Sequence, residues 1–342
     1  MKFVTYILFI LVFISCQTNQ KKESKKGVVK LLNKIEEKSL IELGGEKQYV
    51  EINGESDKNP VLLFIHGGPG WPQTPQLRYF NSDLTKAFTL VTWDQSGCGK
   101  SYINNPDPKN LSLDQIIKDA HQLTQLLKKK FNRDKIYLVG YSWGSIVGMH
   151  LAVQYPNDYF TYVGISQVIN MKQGILVSRK WISERAKEKS DTETLTILSK
   201  LNGNDRNFCS SDLDCFIQQY GLLNKYNGAV YNPGSEKEEE RSMSAYEDYR
   251  NYDWNKGFEF SAHHLEKDMF GTDFTYIKKL EIPVIFFQGR HDWNVPSVLV
   301  EEFEKNLYAP EKNIVWFENS GHGLLYEEAA NFNKLLISTL IK

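Results

Sequence analysis

Cysteine is scarce, with 4 in 342 residues. That is too few to staple a chain of this length, so the core must come from packing. An excess of one charge is missing too: 41 basic against 42 acidic residues leave a net charge of -1, with no basic field for nucleic acid. Metal-ligand spacings are lacking, since neither H-E-x-x-H nor paired C-x-x-C occurs. G-x-G-x-x-G is absent as well, which removes the dinucleotide-binding loop. There is no internal repeat and no long low-complexity run. What is present, 24% charged and 41% hydrophobic residues with 13% aromatics, is ordinary globular composition. It excludes a mainly disordered, collagenous or multi-span membrane chain.

The strongly apolar stretch is N-terminal. Lys2 precedes residues 3–14, broken only by Thr5, a run too short to span a bilayer comfortably and of h-region length. Phe13-Ile14-Ser15-Cys16 follows and resembles the lipobox of bacterial lipoproteins, with Phe13 where leucine is usual. In that reading residues 1–15 are a signal peptide and Cys16 carries lipid; the alternative is an ordinary cleaved signal with a chance cysteine. Residues 17–26 are polar and lysine-rich, so residues 16–38 read as a tether. The expectation is an exported protein, anchored by lipid to a periplasmic or surface membrane face without spanning it.

From 39 onward strand and helix signals alternate. Residues 61–65, 88–93, 135–139, 162–165, 283–287 and 314–317 are short apolar runs, and 48–53 alternates polar and apolar. Residues 113–131 show helical periodicity (Ile116, Ile117, Ala120, Leu123, Leu126, Leu127), 145–155 a helix stopped by Pro156, and 331–341 a terminal helix. This predicts an α/β fold, a mainly parallel sheet covered on both faces, built from residues 39–169 and 275–342. Residues 170–274 lose the rhythm, become charged and aromatic, and read as an inserted helical cap. Cys209 and Cys215 both lie there and are candidates for a disulfide in an oxidising compartment.

Gly140-Tyr141-Ser142-Trp143-Gly144 fits G-x-S-x-G between a strand and a helix. The sharp turn needs glycines where the two backbones approach, and it lifts the Ser142 hydroxyl above the sheet. A serine needs a base, and histidine suits that task near neutrality. Of 7 histidines, His322 lies in a turn between a strand and the terminal helix. It follows the chain order serine, acid, histidine, with His291 as rival. Asp292, just past the run 283–287, is the orienting carboxylate, because 166–170 offers none. The backbone N–H groups of Trp143 and of Gly68, in His66-Gly67-Gly68-Pro69-Gly70, are the expected oxyanion donors. Gly97-Cys98-Gly99-Lys100-Ser101 imitates a phosphate loop, but Asp94 stands where its first glycine belongs.

Taken together, H-G-G-P-G at 66–70, Asp94-Gln95-x-Gly97-x-Gly99-x-Ser101 and Ser142-Trp143-Gly144 resemble the proline iminopeptidase (prolyl aminopeptidase) branch of serine α/β-hydrolases. The resemblance implies an eight-stranded α/β-hydrolase sheet with a helical cap, no cofactor and no metal, and release of an N-terminal residue from short peptides. It places nucleophile, acid and base on Ser142, Asp292 and His322. Ser96 replaces the arginine of D-Q-R-G and Tyr141 the second glycine of G-G-S-W-G, departures that bear on prolyl preference and not on hydrolysis. Cap carboxylates hold the substrate ammonium in that family, which makes Glu240 and Glu247 candidates here, against a solvated helix face. Three readings follow: an aminopeptidase on short peptides, a carboxylesterase or amidase on small molecules, and a non-catalytic ligand-binding protein on the same fold.

Overall fold

The computed structural model describes residues 33–201 and 212–341. The expected signal peptide at 1–15, the lipidated Cys16, most of the tether and Cys209 lie outside the described residues. Eight strands form one sheet in the order β1-β2-β4-β3-β5-β6-β7-β8. They are β1 (Ile35–Leu43), β2 (Glu46–Gly54), β3 (Val61–Ile65), β4 (Thr89–Asp94), β5 (Ile136–Tyr141), β6 (Tyr159–Ile165), β7 (Val284–Gly289) and β8 (Lys312–Phe317). β1 pairs antiparallel with β2 and β2 with β4; every later pairing is parallel. This is the mainly parallel, eight-stranded α/β-hydrolase sheet expected from the sequence.

β3 shows why continuous apolar runs become inner strands. Val61, Leu63 and Ile65 join one buried cluster, with the helices Leu113–Phe131, Trp143–Gln154 and Ser297–Asn306. Leu62 and Phe64 join a second cluster on the opposite face, with Thr74–Phe80 and Ala329–Leu340. A strand covered on both sides has no polar face to alternate with. In the helix Leu113–Phe131, Ser112 caps the N-terminus by accepting from the Gln115 amide at 3.3 Å. Its expected apolar face is buried except for Leu126, which is exposed.

One boundary differs from the sequence expectation. Residues 35–38, assigned to the tether, are the first part of β1, an edge strand whose Ile-Glu-Glu-Lys start is mostly solvent-facing. Its partner β2 supplies the buried side chains, so β1 needs little apolar pattern of its own.

Between β6 and β7 the described residues form helices and no strand. Met171–Glu188, Thr192–Leu201 and Leu213–Lys225 pack around Ile182, Leu198, Leu222 and Leu223, a small core separate from the two that flank the sheet. Ser235–Ser244, Glu247–Arg250 and Trp254–Gly271 follow. The two ends of this insertion meet: Asn170 and Asp273 form an antiparallel bridge. The Met171 amide donates to Thr272 O at 3.1 Å and that of Phe274 to Ile169 O at 2.7 Å. Cys215 is disulfide-bonded, its partner lying outside the described residues, while Cys98 is free and buried. Among the described residues no helix is long and apolar enough to cross a membrane.

Candidate active site

β5 runs straight into the helix Trp143–Gln154, and Ser142 sits on the bend with φ 52° and ψ −119°. The tightness of the turn explains its glycines. A Cβ at Gly140 would lie 2.4 Å from Gly144 O, and one at Gly144 would lie 2.2 Å from Ile65 O, closer than any side chain tolerates. The Ser142 amide donates to Ile165 O at 3.0 Å, fixing the bend to β6.

Asp292 follows β7 and is buried. Its Oδ1 accepts the amides of Asn294 at 3.0 Å and Val295 at 2.8 Å. That leaves Oδ2 for His322 Nδ1, at 2.8 Å. Nε2 of the same ring lies 3.0 Å from Ser142 Oγ. With the Nδ1 proton held on the carboxylate, Nε2 is the acceptor for the serine hydroxyl. The structure therefore brings together all three side chains chosen from the sequence. The rival His291 stacks on Tyr231, ring centroids 4.4 Å apart.

The His322 backbone is held as firmly as its ring. Its amide donates to Ala229 O at 2.7 Å. Its carbonyl accepts from Tyr141 Oη at 3.1 Å and from Ser166 Oγ at 3.3 Å. Tyr141, where the resembled family has glycine, thus braces the imidazole loop, a contact that sequence reasoning missed.

The glycine loop lies against the bend. A Cβ at Gly67 would be 3.2 Å from Ser142 Cβ, and Gly68 has φ +107°. Burial pushes the His66 imidazole down to about 4. The ring is neutral, with Nδ1 donating to Gly67 O at 2.8 Å and Nε2 accepting the Gln95 amide at 3.1 Å. The Gln95 side chain closes the frame, accepting from Trp143 Nε1 at 3.1 Å and donating to His66 O at 3.3 Å. The amides of Gly68 and Trp143 donate to no described residue. The glycine-lysine-serine segment is a brace and not a phosphate cradle. Asp94 is buried and pushed up to about 6 by desolvation. It accepts from the Lys100 amide at 2.8 Å and from Tyr249 Oη at 2.7 Å, while the Lys100 ammonium pairs with Asp248.

The cap acids required a correction. Glu240 and Glu247 are both exposed. The side chain that turns inward is Glu239, half-buried on the helix Ser235–Ser244. It accepts from Gln76 Nε2 at 2.8 Å. Desolvation pushes its carboxyl up to about 7, against the opposing pull of the Tyr326 hydroxyl and His322. On this helix Ser235, Glu239 and Ser242 share one face, and both serines are buried, which turns Glu239 inward. A small, mainly apolar hollow lined by Val168, Ile175, Phe216, Leu223 and Leu299 reaches the acid loop at Val295 and includes none of the three relay side chains. Among the described residues no group of three or more His, Cys, Asp or Glu side chains is placed to hold a metal.

A hydroxyl, imidazole and carboxylate in this relay can move a proton from an attacking oxygen. Known proteins agree with that chemistry. Residues 80–329 match the family model described as serine aminopeptidase, S33. A probable aminopeptidase, YbaC, of Bacillus subtilis is 33% identical over 300 residues, covering 86% of this chain and 93% of that protein. A proline iminopeptidase of Clostridioides difficile is 26% identical, covering 86% and 95%. In fold, the chain is similar to the crystal structure of a proline iminopeptidase-related protein from Thermus thermophilus, with TM-score 0.64, 20% identity, and 90% and 97% coverage. The matched span takes in the serine bend, the acid loop and the imidazole loop, and a relative one-third identical runs nearly end to end with the chain, which belongs to the serine aminopeptidase S33 family of α/β-hydrolases.

Proposed function

We propose that this S33-family hydrolase works through a Ser142–His322–Asp292 triad and is an aminopeptidase of the proline iminopeptidase type, releasing N-terminal residues from short peptides. The observation that carries the triad is the unbroken relay from Ser142 Oγ through His322 to Asp292, at 3.0 and 2.8 Å. Ser142 attacks the carbonyl carbon as His322 Nε2 takes its proton. The oxyanion is received by the amides of Gly68 and Trp143, worth about 10²–10³-fold in rate for each donor. The C–N bond breaks as Nε2 returns the proton to the leaving amine. Water, deprotonated by the same nitrogen, then releases the acyl group. Glu239 supports the aminopeptidase choice: a carboxylate beside the relay suits the ammonium of a peptide N-terminus.

A second reading is a carboxylesterase or amidase acting on small molecules, because the same relay can attack an ester or a simple amide carbonyl. A serine-directed fluorophosphonate should label folded wild-type protein and leave Ser142→Ala unlabelled. A folded wild type that stays unlabelled returns the chain to the class of non-catalytic ligand-binding proteins. Aminoacyl-naphthylamides assayed beside short p-nitrophenyl esters then separate peptidase from esterase.

We further propose that the protein is exported and lipid-anchored at Cys16. The charged and apolar start of the chain supports this, and a disulfide at Cys215 suits an oxidising compartment. Cys16→Ser should abolish acyl labelling and release the protein from membranes; continued acyl labelling refutes the anchor.

A further inference from the structure

We propose that Glu327 is a positioning residue that couples the cap to the triad, one carboxylate clasping both the loop that carries His322 and the cap segment lying over it. The inference rests on His322 being the catalytic base. Glu327 ends the short helix Leu324–Glu327 that follows the His322 loop. Its Oε2 accepts the amide of Gly321, the residue before His322, at 2.7 Å. Its Oε1 accepts two cap amides, Tyr231 at 2.8 Å and Asn232 at 2.9 Å, and the Ser235 hydroxyl at 3.3 Å. Four donors on one partly buried carboxylate make charge-assisted bonds, the strong kind.

The clasp sits where the cap touches the relay directly. The His322 amide donates to Ala229 O, and the Trp293 amide, next to Asp292, donates to Gly228 O at 2.9 Å. Gly321 has no room for a side chain, since a Cβ there would lie 2.5 Å from Ala229 O. The cap segment 228–232 is therefore bonded to both the acid loop and the base loop. Its neighbour Glu328 provides a contrast. It accepts the Asn319 amide at 3.2 Å and the Ser320 hydroxyl at 2.9 Å, bracing the same loop without reaching the cap.

An amide side chain offers one acceptor oxygen and one NH₂ donor. Glu327→Gln must therefore set that NH₂ against either Gly321 or the cap amides, and one arm of the clasp opens. Amide hydrogen exchange on the whole protein should show residues 229–232 and 319–323 losing protection together in Glu327→Gln. In Glu328→Gln only 319–323 should loosen. For the aminoacyl-naphthylamide, kcat should fall about 10–100-fold in Glu327→Gln with KM changed far less, the scale of a small misplacement of reacting groups. Phosphonate labelling of Ser142 should slow in parallel. Glu327→Asp, one methylene too short to span both arms, should repeat the pattern and serves if the glutamine variant does not fold. The clasp is overturned if exchange stays local to one arm, or if kcat and labelling match wild type. A wild type that phosphonate does not label sinks the catalytic reading instead, and the exchange result still decides whether cap and loop are coupled.

Discussion

Asp292 uses one carboxylate oxygen to fix itself to two backbone amides and the other to fix His322. Its replacement by asparagine should preserve the fold, because the amide oxygen can keep the turn. The NH₂ group then faces Nδ1 and imposes the wrong tautomer, so kcat should drop by about 10⁴ with an unchanged melting temperature. Near-wild-type turnover would move the acid elsewhere. Glu239 gives a pH prediction. Its carboxyl titrates near 7 because burial favours the neutral form. An ammonium is bound only by the ionised form, so KM for aminoacyl substrates should fall as pH rises through about 7. It should rise again once the substrate amine, near 7.7–8.0, loses its proton. Esters without an amine should show no such valley, and neither should Glu239→Gln. The linkage to folding has the opposite sign: a raised carboxyl favours the native state most at low pH, and that contribution is lost as pH climbs through the folded value. At this scale the triad was legible in the sequence because each member stands at a strand end within a short local pattern. Glu239 was not, since it hides in a run of like residues and only the buried serines around it mark its direction.

Elements carry the next constraints. The bend after β5 exists only because Gly144 lets the helix touch β3. Gly144→Ala should cost about 1–3 kcal/mol or more, the range for forcing atoms into a packed site. A thermal melt checks it; an unchanged midpoint would mean that the backbone approach is looser than described. A second constraint joins the cap to the antiparallel edge of the sheet. Glu51 on β2 is buried and bonded by Arg78 Nε at 2.8 Å, by Asn53 and by Tyr49. Arg78 also reaches Asp248 in the cap helix Glu247–Arg250 at 2.9 Å. Desolvation pulls the Glu51 carboxyl upward, but the Arg78 bonds outweigh it and the net shift is downward. Arg78→Met leaves that carboxylate buried and unpaired, a loss of about 3–5 kcal/mol. Because Glu51 stabilises the fold only when ionised, the gap between variant and wild type should narrow as pH falls below the ordinary glutamate range. Denaturant titrations at neutral and acid pH measure it. β1 was illegible for a related reason: an edge strand backed by a well-buried partner carries little apolar alternation of its own.

For the whole molecule, six of the eight strands were readable as short apolar runs because parallel strands inside a covered sheet are apolar on both faces, and β2 by its alternation. The links between cap and triad were not, because they run through backbone groups such as Ala229 O and the Tyr231 amide, which leave no mark on residue type. If residues 1–32 serve only for export and tethering, a chain beginning at Asn33 should match the full-length protein in kcat and melting temperature and differ only in membrane attachment. A lower melting temperature would assign that segment a part in folding. The insertion enters and leaves the sheet through the paired strands of chain at Asn170 and Asp273. Such a narrow neck allows the helical lid to be exchanged without disturbing strand register. What any replacement lid would have to reproduce is a short stretch of main chain, the carbonyls and amides of residues 228–232 that bond the acid loop and the imidazole loop.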